Sequence, residues 1–403
     1  MKNVFILGSR GYSTNYGGWE TLLHGLLDNW KNKDTNFFVF EIINLKIDQG
    51  IEIINGVTCI RIYVKSKSNL AMMIFDYKST LYTLKYLKNN NLDNPIIYYL
   101  GMRIGPLVYF LRPFLKKYNT TLVENTAGLE WKRAKWNRLV NVYNYISAYF
   151  MAKSMDYLIC DSKEMVNVYN RMIKTRRPIK KYISYGSYKF EGVSDQMPIK
   201  VKNYFKKFDI AKDGYYLVVN RFVPENSYEL IIKEFLISKT SKDLILVTNI
   251  NKEHKFYEKL KRKYDFIEDK RIKFVGTMYD KDILIYLRAY AFAFINGHTC
   301  GGTNPGLLEA MSITNLNLVR DVNFSRETAG RTVKYFTDEF GLLSNLIDTV
   351  EKMTQKEIDY YGMLAKERVH ENYSWNFIVD EYENFFNKII LDQLIFFEED
   401  IPN

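Results

Sequence analysis

Short patterns of buried strands alternate with patterns of amphipathic helices along most of this 403-residue chain. The apolar run at 4–7 ends at Gly8, and the segment 19–30 follows with its leucines and Trp30 on one helical face. Alternation of this kind predicts a mostly parallel sheet covered by helices. The pattern continues through strands expected at 37–42, 57–64, 95–101, 120–128 with its loop, 156–162 and 181–187.

The alternation stops once and then restarts. Residues 191–213 are polar and poor in strand formers, so we expect an interdomain linker there. The chain is too long for one ordinary core, which predicts an α/β domain at 1–190 and a second at 214–374. The second domain repeats the alternation, with strands expected at 215–221, 243–249, 271–276 and 291–297 and helices at 228–235 and 281–290. In open α/β sheets, ligands bind beyond the carboxyl ends of the strands.

The charge balance indicates an anionic partner. The chain has 57 Lys+Arg against 46 Asp+Glu, a formal net charge of +11. Such an excess suits a phosphorylated small molecule, a nucleic acid or an acidic membrane surface. No module typical of nucleic-acid binding is visible, which argues against the second of these.

Cysteine usage and hydropathy indicate the compartment. Cys59, Cys160 and Cys300 lie far apart without CxxC pairing, which argues against a disulfide framework or a zinc site and for a reducing compartment. The first residues predict a strand rather than a signal peptide, and no apolar run approaches the roughly 20 residues of a membrane span. We therefore expect a cytoplasmic protein whose membrane contact is peripheral.

The stretch HTCGGTNPGLLEAM (298–311) is typical of an anion site at the start of a helix. Thr303 or Asn304 is expected as the N-cap and Pro305 as the first helical residue. The glycines before them let a ligand approach the backbone, and free N–H groups favour a diphosphate. Glu309, one turn into the helix, suits the diol of a ribose. The alternative is a glycine turn followed by a solvated glutamate.

Two further loops follow expected strands. Arg221 ends the strand at 215–221, where an arginine suits a diphosphate, although a structural ion pair would explain it equally. Glycines at 8, 11, 17 and 18 form a loop that does not match the dinucleotide pattern GxGxxG. It either closes on reacting groups or is a glycine-rich turn without a ligand.

Basic residues cluster at 130–138 and 171–181. The first cluster alternates with Trp131 and Trp136, a composition that suits a phosphate or a membrane interface. A solvated charged face is the alternative, and we favour it for the second cluster. No paired-histidine spacing, GxSxG motif or Walker A motif is present, so metal catalysis is not expected.

Together these motifs resemble bacterial glycosyltransferases of the GT-B fold in the retaining family four, above all the capsule and exopolysaccharide rhamnosyltransferases. The resemblance is carried by NYGGWET (15–21), GLEWKRAKW (128–136), YLICDS (157–162), SYGS (184–187), VNRFVPEN (219–226), FVGTMYD (274–280), HTCGGTNPGLLEAM (298–311) and ENYSWNFIVDEYENFF (371–386). It implies two Rossmann-like domains that face each other across a cleft, with the C-terminal helix, 375–403, packing back on the first.

The resemblance also implies roles for individual residues. Arg221 would bind the donor diphosphate, Glu309 the nucleotide ribose, and His298 would contact the sugar; these three form the implied catalytic set. Further donor-binding residues would be Gly17, Gly18, Asn226, Thr277, Tyr279, Gly301, Gly302, Thr303 and Asn304. The acceptor would meet Glu130, Lys132 and Arg133.

This sequence departs from the family pattern at two points. The family commonly has a second glutamate eight residues before the one at Glu309, and here that position is Gly301. A lysine often follows the arginine of the second domain, and here Asn226 stands near that place. Both differences weaken any inference about how the donor sugar is held.

The reaction implied is transfer of a sugar, L-rhamnose from dTDP-L-rhamnose, to a saccharide acceptor carried on a lipid pyrophosphate, in the synthesis of capsule or another cell-surface polysaccharide. The transfer would retain the anomeric configuration and need no metal or other cofactor. The enzyme would work peripherally on the inner face of the cell membrane. Alternatives are a UDP-hexose or UDP-N-acetylhexosamine donor on the same fold, and a sugar-nucleotide epimerase of the same architecture.

Overall fold

A computed structural model describes residues 2–14, 17–66, 68–92, 94–126, 128–133, 136–194, 196–250 and 255–399, except the side chains of Asn69 and 390–399. The chain divides into two compact units. The first comprises the described residues of 1–132, 136–186 and 375–403, and the second those of 133–135 and 187–374.

The first unit is built on an eight-stranded sheet in the order β3-β4-β2-β1-β5-β6-β7-β8. The strands are β1 Lys2–Leu7, β2 Thr35–Ile43, β3 Gly50–Ile54, β4 Val57–Tyr63, β5 Ile96–Leu100, β6 Thr121–Asn125, β7 Tyr157–Cys160 and β8 Ile179–Tyr182. Every pairing is parallel except that of β3 with β4. The edge strand β3 was not expected. Its residues are mostly exposed, so they do not form the buried apolar run by which the other strands were recognised.

Helices of the first unit cover a sheet whose central strands are fully buried. They are α1 Gly18–Leu27, α2 Asn69–Asn90, α3 Gly105–Lys116, α4 Arg138–Ser154 and α5 Lys163–Met172, with a 3₁₀ turn at Glu130–Lys132. Ser162 caps α5 by accepting the Met165 N–H. In β5 every residue is buried, which is why this strand reads as a continuous apolar run.

The second unit is built on a six-stranded, wholly parallel sheet in the order β11-β10-β9-β12-β13-β14. Its strands are β9 Tyr215–Val219, β10 Asp243–Val247, β11 Ile272–Phe274, β12 Ala293–Asn296, β13 Asn317–Arg320 and β14 Lys334–Phe336. Its helices are α6 Ile199–Lys207, α7 Tyr228–Ile237, α8 Lys255–Tyr264, α9 Lys281–Ala289, α10 Pro305–Ile313, α11 Asn323–Ala329, α12 Leu342–Val350 and α13 Gln355–Tyr373.

The C-terminal helix α14, Trp375–Glu399, groups with the first unit. On this helix, Tyr382 shares a 2.9 Å hydrogen bond between hydroxyl groups with Tyr98 of β5. Asn125 at the end of β6 donates to both hydroxyls. A buried polar cluster therefore fixes α14 against the sheet of that unit, since each member satisfies another.

The structure differs from the expectation over residues 191–213, which were predicted as a linker. Within this stretch α6 folds as an amphipathic helix of the second unit, burying Val201 and Phe205. Its lysines obscure the helical spacing of these apolar residues in the sequence, and the segment was therefore predicted to be a polar linker. The two α/β units with parallel sheets agree with the predicted fold class.

Strand order reverses at one place in each sheet. In the second unit β9 and β12 are neighbours, although two strands lie between them in the chain. In the first unit the corresponding pair is β1 and β5. Loops leave the carboxyl ends of such a pair in opposite directions and open a crevice, which is where doubly wound sheets bind ligands.

Candidate functional site

The loop after β9 carries Arg221 at the crevice of the second unit. The backbone reaches α7 through a 3₁₀ turn, Pro224–Asn226, and through Ser227, whose φ of 53° is left-handed. The side chain of Arg221 is exposed, while its carbonyl accepts a 2.7 Å hydrogen bond from Nδ2 of Asn226. The arginine therefore stands on a fixed turn with an exposed side chain.

The loop after β12 is anchored to this same turn. Ser227 Oγ donates to the Gly297 carbonyl at 2.7 Å, and the Thr299 N–H donates to the Glu225 carbonyl at 2.9 Å. A Cβ on Gly297 would lie 2.4 Å from the Asn226 carbonyl oxygen, so glycine is required there. The two loops that begin at the reversal of strand order thus form one unit.

His298 is held by Asn226, which we expected to contact the donor. Its Nδ1 lies 2.8 Å from Oδ1 of Asn226. The Asn226 amide nitrogen already donates to the Arg221 carbonyl, so Oδ1 must accept and Nδ1 must carry the proton. Asn226 is buried, which makes it a positioning residue that joins Arg221 to His298.

Burial lowers the pKa of His298 to about 4, and the positive charges of Arg133 and Arg221 act in the same direction. The ring is therefore neutral at physiological pH, with its proton on Nδ1 and a lone pair on Nε2. A neutral ring can accept a hydrogen bond from a hydroxyl group, such as one on a sugar.

The predicted start of α10 is confirmed. Asn304 is the N-cap, its Oδ1 accepts the Leu307 N–H at 3.2 Å, and Pro305 begins the helix. Gly301, with a φ of 134°, and Gly302 precede the cap and are buried with Thr303. A turn with small side chains thus leads into a nine-residue helix whose N-terminal dipole favours an anion.

Glu309 lies in the second turn of α10 and has a partner that the sequence did not reveal. Its Oε2 lies 2.5 Å from Nη2 of Arg288 on α9. Arg288 is buried, whereas the Glu309 side chain is 43% exposed. Among the described residues, the Glu309 carboxylate makes this one side-chain hydrogen bond, through Oε2, so Oε1 is left for a ligand.

Thr277 and Tyr279 lie in the loop after β11, at the same edge of the sheet but three strands away from β12. Both are exposed. The structure therefore places them at the same edge of the sheet as Arg221, in a loop two strands away from the loop that carries it.

The glycine loop after β1 lies at the reversal of strand order in the first unit. It is fixed by carboxylates: Glu41 accepts the Ser13 N–H and Glu20 accepts the Arg10 N–H, each at 2.7 Å. Burial raises the pKa of Glu20. Gly17 is the N-cap of α1, where Gly18 follows as the first residue. The described part of the loop is thus tied down rather than free.

The expected acceptor residues divide between the units. Glu130 and Lys132 form the 3₁₀ turn after β6 in the first unit, where Trp136 Nε1 lies 3.3 Å from Oε2 of Glu130. Trp131 packs on the core against Tyr145 and Tyr169. Arg133 groups with the second unit. Neither tryptophan presents its whole ring to solvent.

Within the described ranges, no three or more His, Cys, Asp or Glu side chains gather as metal ligands would. The three cysteines are buried, and no disulfide joins them. None of the described helices is long and apolar enough to cross a membrane.

Several proteins of known structure have a similar architecture. Sucrose-phosphate synthase from Thermosynechococcus elongatus is 14% identical and superposes with a TM-score of 0.75 over 97% of this chain and 100% of its own. HepE from Anabaena in complex with UDP is 14% identical, with a TM-score of 0.69 over 96% and 100%. The E. coli trehalose-6-phosphate enzyme bound with UDP-2-fluoro glucose is 11% identical, with a TM-score of 0.70 over 96% and 99%.

The chain has the GT-B fold. Residues 1–188 match a family described as a domain of unknown function, DUF1972. No curated protein matches the chain. The GT-B neighbours extend over both units, whereas the matched family covers the first.

Sequence reasoning missed the residues that hold the site together. Arg288 lies in an ordinary amphipathic helix, and nothing in its neighbourhood signals a partnership with Glu309. Glu41 likewise lies within a buried strand. Glu20 stood within the quoted motif NYGGWET, and an acid at the third position after a glycine N-cap could have signalled an anchoring role.

Proposed function

We propose that this protein is a glycosyltransferase that uses a nucleoside diphosphate sugar. The observation that carries the proposal is the joining of Arg221 to the His298–Asn304 loop at the reversal of strand order in the second sheet. A cation, a row of glycines and a helix N-terminus meet at one edge, an arrangement suited to a diphosphate. The GT-B fold supports it.

Each residue has a role in this proposal. The N–H groups at the start of α10 and the guanidinium of Arg221 bind the diphosphate, and the fixed carboxylate of Glu309 accepts hydrogen bonds from the ribose diol. Gly301, Gly302, Thr303 and Asn304 line the phosphate and sugar, His298 accepts a sugar hydroxyl, and Gly17 and Gly18 of the first unit contact the donor. Thr277 and Tyr279 approach the base.

Catalysis in this scheme is mainly stabilisation of a leaving diphosphate. The bond between the sugar C1 and the diphosphate oxygen breaks with its electrons on the diphosphate, and the acceptor oxygen bonds to C1. The acceptor proton passes to the departing diphosphate on the same face, which retains the anomeric configuration. The chemistry needs no metal, because Arg221 and the helix terminus supply the positive charge.

We further propose L-rhamnose from dTDP-L-rhamnose as the sugar and a saccharide on a lipid pyrophosphate as the acceptor, in synthesis of capsule or another surface polysaccharide. Support comes from the resemblance of the motifs NYGGWET and GLEWKRAKW to those of enzymes of that class. Glu130, Lys132 and Arg133 contact the acceptor. The protein acts in the cytoplasm, peripherally on the inner face of the membrane.

A UDP sugar is the second candidate donor. The GT-B neighbours include HepE in complex with UDP and an enzyme bound with UDP-2-fluoro glucose, and these complexes are the observation behind the uridine alternative. An epimerase of the same architecture is a weaker alternative.

The test is incubation of the full chain with dTDP-L-rhamnose, UDP-glucose or UDP-N-acetylglucosamine and a lipid-pyrophosphate disaccharide, followed by NMR of the product. We expect rhamnose in the product with the anomeric configuration of the donor. Transfer from a UDP sugar would replace the rhamnose assignment. An epimer from donor alone would support the epimerase, and no reaction with any donor would contradict the proposal.

A further inference from the structure

Helices α3 and α4 of the first unit expose large apolar side chains that no described residue covers. The spacing of these residues places Phe110 and Phe114 along one side of α3, and Leu139, Val142 and Ile146 along one side of α4. Phe110 is 72% exposed and Leu139 is 81% exposed. Single exposed apolar residues are ordinary, but a concentration of them on adjacent helices marks an interaction surface.

The two helices are locked together, so these side chains belong to one rigid surface. The Gly105 N–H donates to Oγ of Ser147 at 2.9 Å, and a Cβ on Gly105 would lie 1.9 Å from the Ser147 carbonyl oxygen. Farther along, the rings of Tyr109 and Phe150 are 5.2 Å apart between centroids. Aromatic surface thus continues from α3 to α4.

The exposed charged side chains named on this surface are all positive. Residues 131–155 contain five lysines and arginines and no acidic residue, and α3 adds Arg112 and Lys116 without an acid. Arg112 and Lys116 pair with Asp156. Lys117, Lys132, Arg138 and Lys153 are exposed. Lys117 and Lys153 lie over the rings of Phe114 and Tyr149.

We propose that the α3–α4 surface, formed by Tyr109, Phe110, Phe114, Leu139, Val142 and Ile146 with its flanking cations, docks on a membrane that contains anionic phospholipids. Apolar side chains would enter the boundary between headgroups and acyl chains, and the cations would meet lipid phosphates. Lysines with an ammonium group beside an aromatic ring can reach headgroups while the ring inserts.

The charge pattern favours a bilayer over a second copy of the chain. A two-fold interface brings the same patch of both copies together. Here it would bring like charges together with no acid in 131–155 to compensate them. An anionic lipid surface complements these cations wherever they lie on the patch.

This inference changes where the membrane contact is expected. The sequence indicated the tryptophan-containing stretch 131–138, but Trp131 packs on the core and Trp136 meets Glu130. The inference deepens the proposed function and rests on it for the reason why a membrane is needed. Vesicle binding is measured without a donor, so its failure leaves the donor assays untouched.

The experiment is flotation of the full chain with vesicles of phosphatidylcholine alone or mixed with phosphatidylglycerol. We expect flotation with the anionic vesicles only, weakening as salt rises. The variant Phe110→Ser/Leu139→Ser should bind roughly tenfold more weakly. Arg138→Glu/Lys153→Glu should lose the preference for anionic lipid. The matched control Ile47→Ser/Ile199→Ser alters residues that are 90% and 75% exposed elsewhere and should float like the wild type.

Thermal unfolding of each variant checks that it is folded, which these exposed positions allow. The proposal is overturned by a wild type that does not float with anionic vesicles, or by an α3–α4 variant that floats as well as the control. Light scattering after gel filtration provides a second measurement. A wild-type dimer that Phe110→Ser/Leu139→Ser converts to a monomer would assign the surface to a second copy.

Discussion

Oε2 of Glu309 and Nη2 of Arg288 lie 2.5 Å apart. This contact joins the glutamate on α10, which we propose binds the ribose, to a buried arginine on α9. The pair fixes the direction of the carboxylate before any ligand arrives. Such preorganisation makes binding less costly, because no rotamer freedom is lost when the ligand binds.

We predict that Glu309→Gln lowers the free energy of unfolding by about 1–3 kcal/mol, because Arg288 then keeps a buried charge without a counterion. Solvent at Glu309 keeps the effect below that of a fully buried pair. The double variant Arg288→Met/Glu309→Gln should regain part of the loss. Urea unfolding of both single variants and the double variant gives the coupling, and strictly additive effects would contradict the pairing.

His298 predicts a dependence of stability on pH. Its pKa of about 4 in the folded chain lies below its ordinary value of 6.5. Between these values the unfolded chain binds a proton that the folded chain does not, so stability falls as pH decreases from 6.5 to 4, by about 3 kcal/mol. His298→Gln should flatten that slope in thermal unfolding, whereas His370→Gln, at an exposed site, should not. Equal slopes would disprove the assignment.

Gly301 stands where the glycosyltransferases that the sequence resembles commonly have a glutamate, and its φ of 134° is one that side-chain-bearing residues rarely adopt. A Cβ there would be strained and would lie 3.4 Å from Nε2 of His298. Gly301→Ala should cost about 1–3 kcal/mol in stability and weaken donor binding. Gly56→Ala also has a positive φ, but open space around it, and should cost stability alone. Calorimetric titration with the donor separates the two.

Glu20 holds the glycine loop of the first unit through the Arg10 N–H. Glu20→Ala leaves that donor unsatisfied and should destabilise the protein by about 1–3 kcal/mol, with loss of transfer. Glu20→Gln keeps an acceptor oxygen and should retain most of both. Glu371→Ala, an exposed change on α13, serves as the control. If alanine and glutamine at position 20 behave alike, the hydrogen bond is not the reason for the acid.

The sequence predicted those parts of the fold that depend on local pattern. Central strands such as β5 and β9 are buried on both faces and appear in the sequence as apolar runs. The start of α10 is recognisable from the residue types of Asn304 and Pro305 alone. The strand β3 and the helix α6 were not predicted. The residues of β3 are mostly exposed, and the lysines of α6 conceal the helical spacing of its apolar residues. Such elements depend on partners that are distant in the chain.

The sequence predicted the site residues that lie together in one segment of the chain. It did not predict the contacts between residues of different segments. The loop His298–Asn304 is visible as a motif. The hydrogen bond from His298 to Asn226 joins residues 72 positions apart, and the pair Arg288–Glu309 joins two helices. We expected Asn226 to contact the donor. Its buried amide instead hydrogen-bonds Arg221 and His298, and such tertiary contacts cannot be read from the sequence around Asn226.

The most direct test of the central claim is thermal unfolding of the full chain with dTDP, UDP, GDP, dTDP-L-rhamnose, UDP-glucose, UDP-galactose or UDP-N-acetylgalactosamine, alongside Arg221→Ala and the control Arg331→Ala. A ligand of the folded state raises the midpoint in proportion to its occupancy. We predict a rise that is largest with dTDP and dTDP-L-rhamnose, lost in Arg221→Ala and kept in Arg331→Ala. No rise with any nucleotide, or a rise unchanged in Arg221→Ala, would contradict the donor site.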